Sequence, residues 1–116
     1  MATVDELLTA NLHGVFGERD AARRRRAIDD AYSDDVRFTD PEGTVEGRDA
    51  LEAKAAGLLA GAPAEFVFAE DGPRYVGADT GVLAWAFGPA GAPVARGVDV
   101  LTVRDGRIVD VRTLLL

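Results

Sequence analysis

Val4, Leu7, Leu8, Leu12 and Val15 recur at helical spacing, which predicts a helix over residues 3–16 that Gly17 ends. Asp20 stands in an N-cap position, so a second helix is predicted over about 21–32, running through an arginine run to Tyr32. Ser33-Asp34-Asp35 reads as a turn. From Val36 to Asp40 the period changes to two, the mark of a strand, and Pro41 stops it. Pro41-Glu42-Gly43 turns the chain into a short strand near Thr44-Val45-Glu46. Gly47 opens a third helix, about 48–60, with Leu51, Ala55, Leu58 and Leu59 on its buried side, and Gly61-Ala62-Pro63 closes it.

After residue 64 the pattern is that of strands. Glu65–Glu70 alternates, with Phe66 and Phe68 on one face, and Arg74–Val76 either continues this strand or begins another. Gly81–Phe87 is an apolar run centred on Trp85, Val94–Val103 alternates, and Ile108–Leu115 is the last strand. Between the last two, Arg104-Asp105-Gly106-Arg107 carries an Asp-Gly pair, the strongest short hairpin signal. Helices grouped before a meander of strands make this an α+β chain, expected to form one domain over residues 1–116. Three helices cannot cover both faces of such a sheet, so the sheet should curl around them.

Charge and composition narrow the function classes. The net charge of −7 argues against nucleic acid, whose binders present a basic face. The arginine run Arg23-Arg24-Arg25-Arg26 points all round a helix, with Asp29 and Asp30 one turn on, so a solvated face laced with ion pairs is expected. No apolar run approaches the ~20 residues of a membrane span. The first residues are acidic and lack the basic start of a secretory signal, so a cytoplasmic location is expected. With one histidine and no cysteine, ligands for a metal are too few, and scattered glycines form no phosphate loop. No cofactor is expected.

Two acids break the apolar pattern. Side chains of a strand alternate between faces, so Asp40 shares a face with Val36 and Phe38, and Asp99 shares one with Ala95, Gly97, Leu101 and Val103. Each carboxylate stands where an apolar residue belongs. Burial disfavours the charged form and raises the pKa, which can turn one aspartic acid into a hydrogen-bond donor while a second, wetter one acts as base. The alternative is that Asp40 caps the Pro41 turn and Asp99 is held by a neighbouring tyrosine or arginine, for which Arg74 and Arg112 are candidates. On helix one, Asn11 falls inside the apolar stripe and is the polar side chain expected to face the interior. Trp85, Phe66, Phe68 and Phe87, on strands whose inward face could line a pocket, are either pocket lining or plain core. Gly97, inside a strand, is expected at a bulge or bend. His13, away from the apolar stripe, is expected in solvent.

The run Tyr32-Ser33-Asp34-Asp35-Val36-Arg37-Phe38-Thr39-Asp40-Pro41-Glu42-Gly43, continuing to Gly47, resembles the Y-x-D-D-x-x-x-x-D-P-x-G stretch of ketosteroid isomerases. Val98-Asp99-Val100, followed by the Asp105-Gly106 hairpin and Ile108-Val109, resembles the other half of their site. The order of elements is similar to the nuclear transport factor 2-like (NTF2-like) and SnoaL-like superfamily over nearly the whole chain. That resemblance implies a cone-shaped, curved antiparallel sheet wrapped around three N-terminal helices, a cystatin-like α+β roll. It further implies that Asp40 is a general base moving a proton between carbons, that Asp99 is a protonated acid stabilising an oxyanion, and that Tyr32 supports the oxyanion network. The isomerases' main oxyanion donor is a tyrosine on helix one. This chain has none there, and Asn11 is the polar residue in its place.

Two functions follow as expectations. The first is an enzyme (isomerase, cyclase, hydrolase or dehydratase) transferring protons on a small, mostly apolar or polycyclic molecule. Its catalytic residues would be Asp40 and Asp99, and its ligand contacts Asn11, Tyr32, Phe38, Trp85 and Leu101. The second is a non-catalytic ligand-binding or dimerisation module. The outer sheet face, with Val98, Val100 and Thr102 framed by Arg96 and Arg104, is expected to pair with a second copy of the chain under either function.

Overall fold

A computed structural model of the chain describes residues 1–116. The first helix starts where the sequence offers a complete cap. The Thr3 hydroxyl accepts the Glu6 N–H at 3.1 Å, and the Glu6 carboxylate accepts the Thr3 N–H at 2.9 Å, so two otherwise unpaired donors are satisfied together. Helix α1 (Val4–Thr9) runs without a break into a π-helical stretch, Ala10–Phe16. The wider turn shows in the Gly17 N–H, which reaches back to the Leu12 carbonyl at 2.7 Å, and it buries Asn11, Leu12, Val15 and Phe16 together.

Helix α2 (Ala21–Ala31) is capped by Asp20, whose carboxylate accepts the Arg23 N–H at 2.9 Å. Three of its four arginines are ion-paired within the chain: Arg23 with Glu18, Arg24 with Glu52, and Arg25 with Asp29, Asp49 and Glu52. Strand β1 (Tyr32–Asp40) follows α2 directly, so the stretch expected to turn at residues 33–35 is extended. The reason is tertiary. Arg48 donates two hydrogen bonds to the Tyr32 carbonyl, at 2.7 and 3.0 Å, and pairs with Asp34 at 2.8 Å, which holds the acidic segment open.

The remaining elements are β2 (Gly43–Glu46), α3 (Arg48–Ala60), β3 (Phe66–Glu70), β4 (Tyr75–Val76), β5 (Thr80–Pro89), β6 (Ala95–Arg104) and β7 (Arg107–Leu115). The sheet order is β2-β1-β7-β6-β5-β3, with β4 beside β5. Curved sheet wraps the three helices as expected, but β1 and β7 run parallel, so the sheet is mixed rather than wholly antiparallel. β1 enters the sheet from a helix and not from a hairpin, so no tight turn dictates its direction.

Register irregularities curve the sheet. The β6–β7 hairpin closes at Asp105-Gly106, whose φ angles of +53° and +74° suit a two-residue turn of the primed type. Pairing starts at Arg104↔Arg107 and Val103↔Ile108, then jumps to Thr102↔Asp110, which leaves Val109 as an inserted residue. Gly97 is not at the bulge. It pairs regularly with Trp85 and Leu115, and what it supplies is space: a Cβ there would lie 2.7 Å from the indole ring and against the Leu114 carbonyl.

The core lies between the helices and the concave face, where Leu7, Leu8, Leu12, Ile28 and Leu51 meet Val36, Leu83, Leu101, Ile108 and Val111. On the convex face Val98 and Val100 are half-buried and Leu114 is exposed. No helix is long and apolar enough to cross a membrane.

Candidate active site

The concave face does not close completely on the helices. Between β1, α3, the π-helical stretch and strands β3, β5, β6 and β7 lies a cavity of about 520 Å³. Its wall is largely apolar, formed by Leu12, Phe16, Phe38, Phe68, Trp85 and Leu115. The aromatic side chains brace one another. Phe16 stacks on Phe38 with ring centroids 5.4 Å apart, and Phe68 meets Trp85 edge-on at 5.4 Å.

Asp99 sits at the inner end, 4 % exposed, on the β6 face turned toward the helices. Its Oδ1 accepts the Trp85 Nε1–H at 3.0 Å and the Thr113 hydroxyl at 2.8 Å, and its Oδ2 accepts the Asn11 amide at 2.8 Å. Burial is the largest influence on this carboxyl and pushes its pKa up, while the bonds from Thr113, Trp85 and Asn11 pull it back; the net direction is upward. Behind it, the Tyr32 hydroxyl donates to the Asn11 carbonyl at 2.5 Å. Burial, and after it the Asp99 charge, raise the Tyr32 pKa well above the ordinary phenol value, so the hydroxyl keeps its proton. The Asn11 amide turns its oxygen toward Tyr32 and its N–H₂ toward Asp99, which makes a chain Tyr32→Asn11→Asp99.

Asp40 sits at the outer end, where β1 stops. Its Oδ1 accepts the Glu42 N–H at 2.9 Å, the turn cap that proline and glycine next to it invite, and its Oδ2 accepts Lys54 Nζ at 3.2 Å. Asp40 therefore caps the turn and lines the cavity at once. Lys54, from α3, also donates to Glu42 at 2.9 Å; hydrogen bonds to Glu42 and then Asp40 raise its pKa, so it stays an ammonium.

The cavity wall thus includes Asp40, Asp99, Phe38, Phe68 and Trp85 among the residues singled out in the sequence, and Phe66 and Phe87 are not part of it. Asn11, Tyr32 and Leu101 lie outside it. Asn11 and Tyr32 are 1 % and 0 % exposed and act on the cavity only through Asp99, and Leu101 is core. Arg74 binds Glu70 and Asp5, and Arg112 lies near Asp110, so neither reaches a buried acid. His13, 42 % exposed, pairs with Glu70 at 3.0 Å.

Thr113 and Lys54 escaped the sequence reading. A hairpin continued from Arg104↔Arg107 without interruption would set Arg112 opposite Asp99. The Val109 insertion shifts the register by one, turns Arg112 to the other face and brings Thr113 opposite Asp99. Lys54 carries no motif of its own, and only the packing of α3 over the Pro41 turn brings it to Asp40.

A SnoaL-like domain model matches residues 11–111. Among solved structures, the chain is similar to a candidate isomerase of the SnoaL-like family from Agrobacterium tumefaciens strain C58, at 26 % identity and a TM-score of 0.86, covering 95 % of this chain and 94 % of that one. A candidate SnoaL-like polyketide cyclase from Jannaschia sp. CCS1 superposes with a TM-score of 0.77 at 19 % identity, over 97 % and 83 % of the two chains. A protein of cystatin-like fold from Xanthomonas campestris gives 0.74 at 20 %, over 99 % and 91 %. The curated proteins contain no match. These last two likenesses carry the fold alone, but the domain match runs from the Asn11 that bonds Asp99 to the Val111 of the last strand, and on it the chain belongs to the SnoaL-like family.

Proposed function

We propose that this chain catalyses proton transfer on a small, mostly apolar carbonyl compound held in the cone, with Asp40 as the base and Asp99, in its neutral form, as the acid that polarises the carbonyl. The observation that carries this reading is one cavity, of a size typical for small-ligand sites, with apolar walls and two carboxyl groups set in unlike surroundings. Asp40 is paired with an ammonium at the rim, and its free lone pairs suit a proton acceptor. Asp99 is buried and its pKa raised. Its Oδ2 has a single partner, Asn11, which leaves room for an O–H turned to a ligand oxygen.

In the step proposed, a C–H bond next to the carbonyl breaks, its proton passes to Asp40, and the electron pair moves into an enolate whose oxygen the Asp99 O–H stabilises. Asp40 then returns the proton to the same carbon or to a conjugated one. Stabilising the oxygen as charge develops there is what lowers the barrier. Asn11, Trp85 and Thr113 hold Asp99 in place.

The test is exchange of the α-hydrogens of 2-decalone in D₂O, followed by ¹H NMR. Wild-type protein should accelerate exchange over buffer, and Asp40→Asn should lower the acceleration by about 10²–10⁴-fold, the usual contribution of a positioned base. Exchange no faster than in buffer, or undiminished in Asp40→Asn, overturns the catalytic reading. Binding of the ketone without exchange would favour a ligand-binding module of the same fold.

A further inference from the structure

We propose that Lys54 is a ligand-binding residue of this cavity and that it selects substrates carrying a second, neutral oxygen at the end of the molecule away from Asp99. The inference rests on the proposed function above, since it takes the cavity to be the ligand site, and it comes from counting donors. The Trp85 N–H, the Thr113 hydroxyl and an Asn11 N–H are spent on Asp99. Asp40 and Glu42 are acceptors. Lys54 has three N–H donors, and two of them are taken, one by Asp40 at 3.2 Å and one by Glu42 at 2.9 Å. The third is the one side-chain donor of the cavity, besides a protonated Asp99, that no group of the protein claims.

There is room beside it. Gly57 lines the same wall one helical turn on from Lys54, and a Cβ placed at Gly57 would meet nothing within 4 Å. A ligand can therefore lie along this side of α3 with its outer end at the ammonium.

Charge decides which oxygen is taken. Lys54 brings one positive charge to the rim, and Asp40 and Glu42 bring two negative ones within 3.2 Å of it. An ammonium already outnumbered by carboxylates offers little to a further anion but still donates a hydrogen bond. A ketone, ester or ether oxygen fits, and a carboxylate is repelled. The substrate class is an apolar skeleton with a neutral oxygen at each end, one for Asp99 and one for Lys54.

The experiment compares 2-decalone, with one oxygen, against decalin-2,6-dione, with an oxygen at each end. Binding is read from the fluorescence of Trp85, the single tryptophan, which lies in the cavity wall. A hydrogen bond to a charged donor is worth about 1.5 kcal/mol, so the dione should bind wild-type protein roughly tenfold tighter than the monoketone. Lys54→Met should bring that ratio to about one, and Lys54→Arg should restore it. The 6-oxodecalin-2-carboxylate should bind wild-type protein more weakly than the dione. An equal ratio in wild-type protein and Lys54→Met, or a carboxylate that binds tighter than the dione, overturns the role of Lys54 while leaving the cavity as the ligand site. Failure of wild-type protein to bind either ketone overturns both. Because the Lys54→Met result is a ratio measured within one protein, a general loss of affinity in that variant does not imitate the expected result.

Discussion

Tyr32, Asn11 and Asp99 form a buried relay, and its energetics can be dissected with two substitutions. Tyr32 and Asn11 are 0 % and 1 % exposed and lie outside the cavity wall, so water does not replace the partner that either loses. Asn11→Ala removes the donor to Asp99 and also the acceptor of the Tyr32 hydroxyl. With Asp99 neutral, its bond from Asn11 is worth about 0.5–1.5 kcal/mol, and the buried Tyr32 donor left unpaired costs about 1–3 kcal/mol. The expected loss is therefore about 2–4 kcal/mol, a large part of the 5–15 kcal/mol typical of a domain. Tyr32→Phe removes only the hydroxyl and leaves the Asn11 carbonyl unpaired, at about 1–2 kcal/mol. In the double variant no hydroxyl is left unpaired, so its cost should fall short of the sum by about 1–2 kcal/mol. Urea unfolding of the four proteins reads this out, with unchanged slopes confirming that the denatured state is comparable. At a slope of about 2 kcal/mol/M, a loss of about 3 kcal/mol in Asn11→Ala moves the midpoint down by roughly 1.5 M. Additivity within about 0.5 kcal/mol would refute the relay, because it would mean that the Tyr32 hydroxyl does not depend on Asn11.

Two further outcomes follow from the geometry. Gly97→Ala places a methyl group against the Trp85 ring and the Leu114 carbonyl, and the backbone cannot move aside cheaply; a loss of about 1–3 kcal/mol is expected, together with faster hydrogen exchange at the Trp85 indole N–H as its bond to Asp99 breaks. An indole N–H as protected as in the parent protein would contradict the packing argument. The Glu70 carboxyl is held down at about 2, from an ordinary 4.5, by Arg74 first and His13 second. A lowered folded-state value contributes stability that is present above the ordinary value and is lost as pH falls toward the lowered one. Thermal stability should therefore drop between about pH 4.5 and about pH 2, and Glu70→Gln should flatten that drop; an identical acid limb in the variant would show that the cluster does not contribute.

Much of the architecture was readable locally. Thr3 and Glu6 make a cap from side chains three residues apart, and Asp105-Gly106 makes a hairpin from backbone freedom at two positions. Alternation on β1 and β6 turned Asp40 and Asp99 inward with no knowledge of what they would meet, because the faces of a strand follow from parity alone. The partners of those acids were not readable. Which residue of β7 faces Asp99 depends on the Val109 insertion, a one-residue event without a motif of its own that exchanges Arg112 for Thr113. The direction of β1 beside β7 depends on where α2 delivers the chain.

The polar lining of the cavity belongs to the same class of facts. Asn11 read as a donor facing the interior, and it does face inward, but it lies behind Asp99, bonded to it and to Tyr32 and outside the cavity wall. Lys54 showed nothing in its own helix, and it reaches Asp40 only because α3 crosses the Pro41 turn. Periodicity, caps and turn chemistry act over a few neighbouring residues and can be read along the chain. Hydrogen-bond satisfaction is settled between groups far apart in sequence, such as Asn11 and Asp99, and a donor is spent or free only once the sheet has curled and the helices have docked in it.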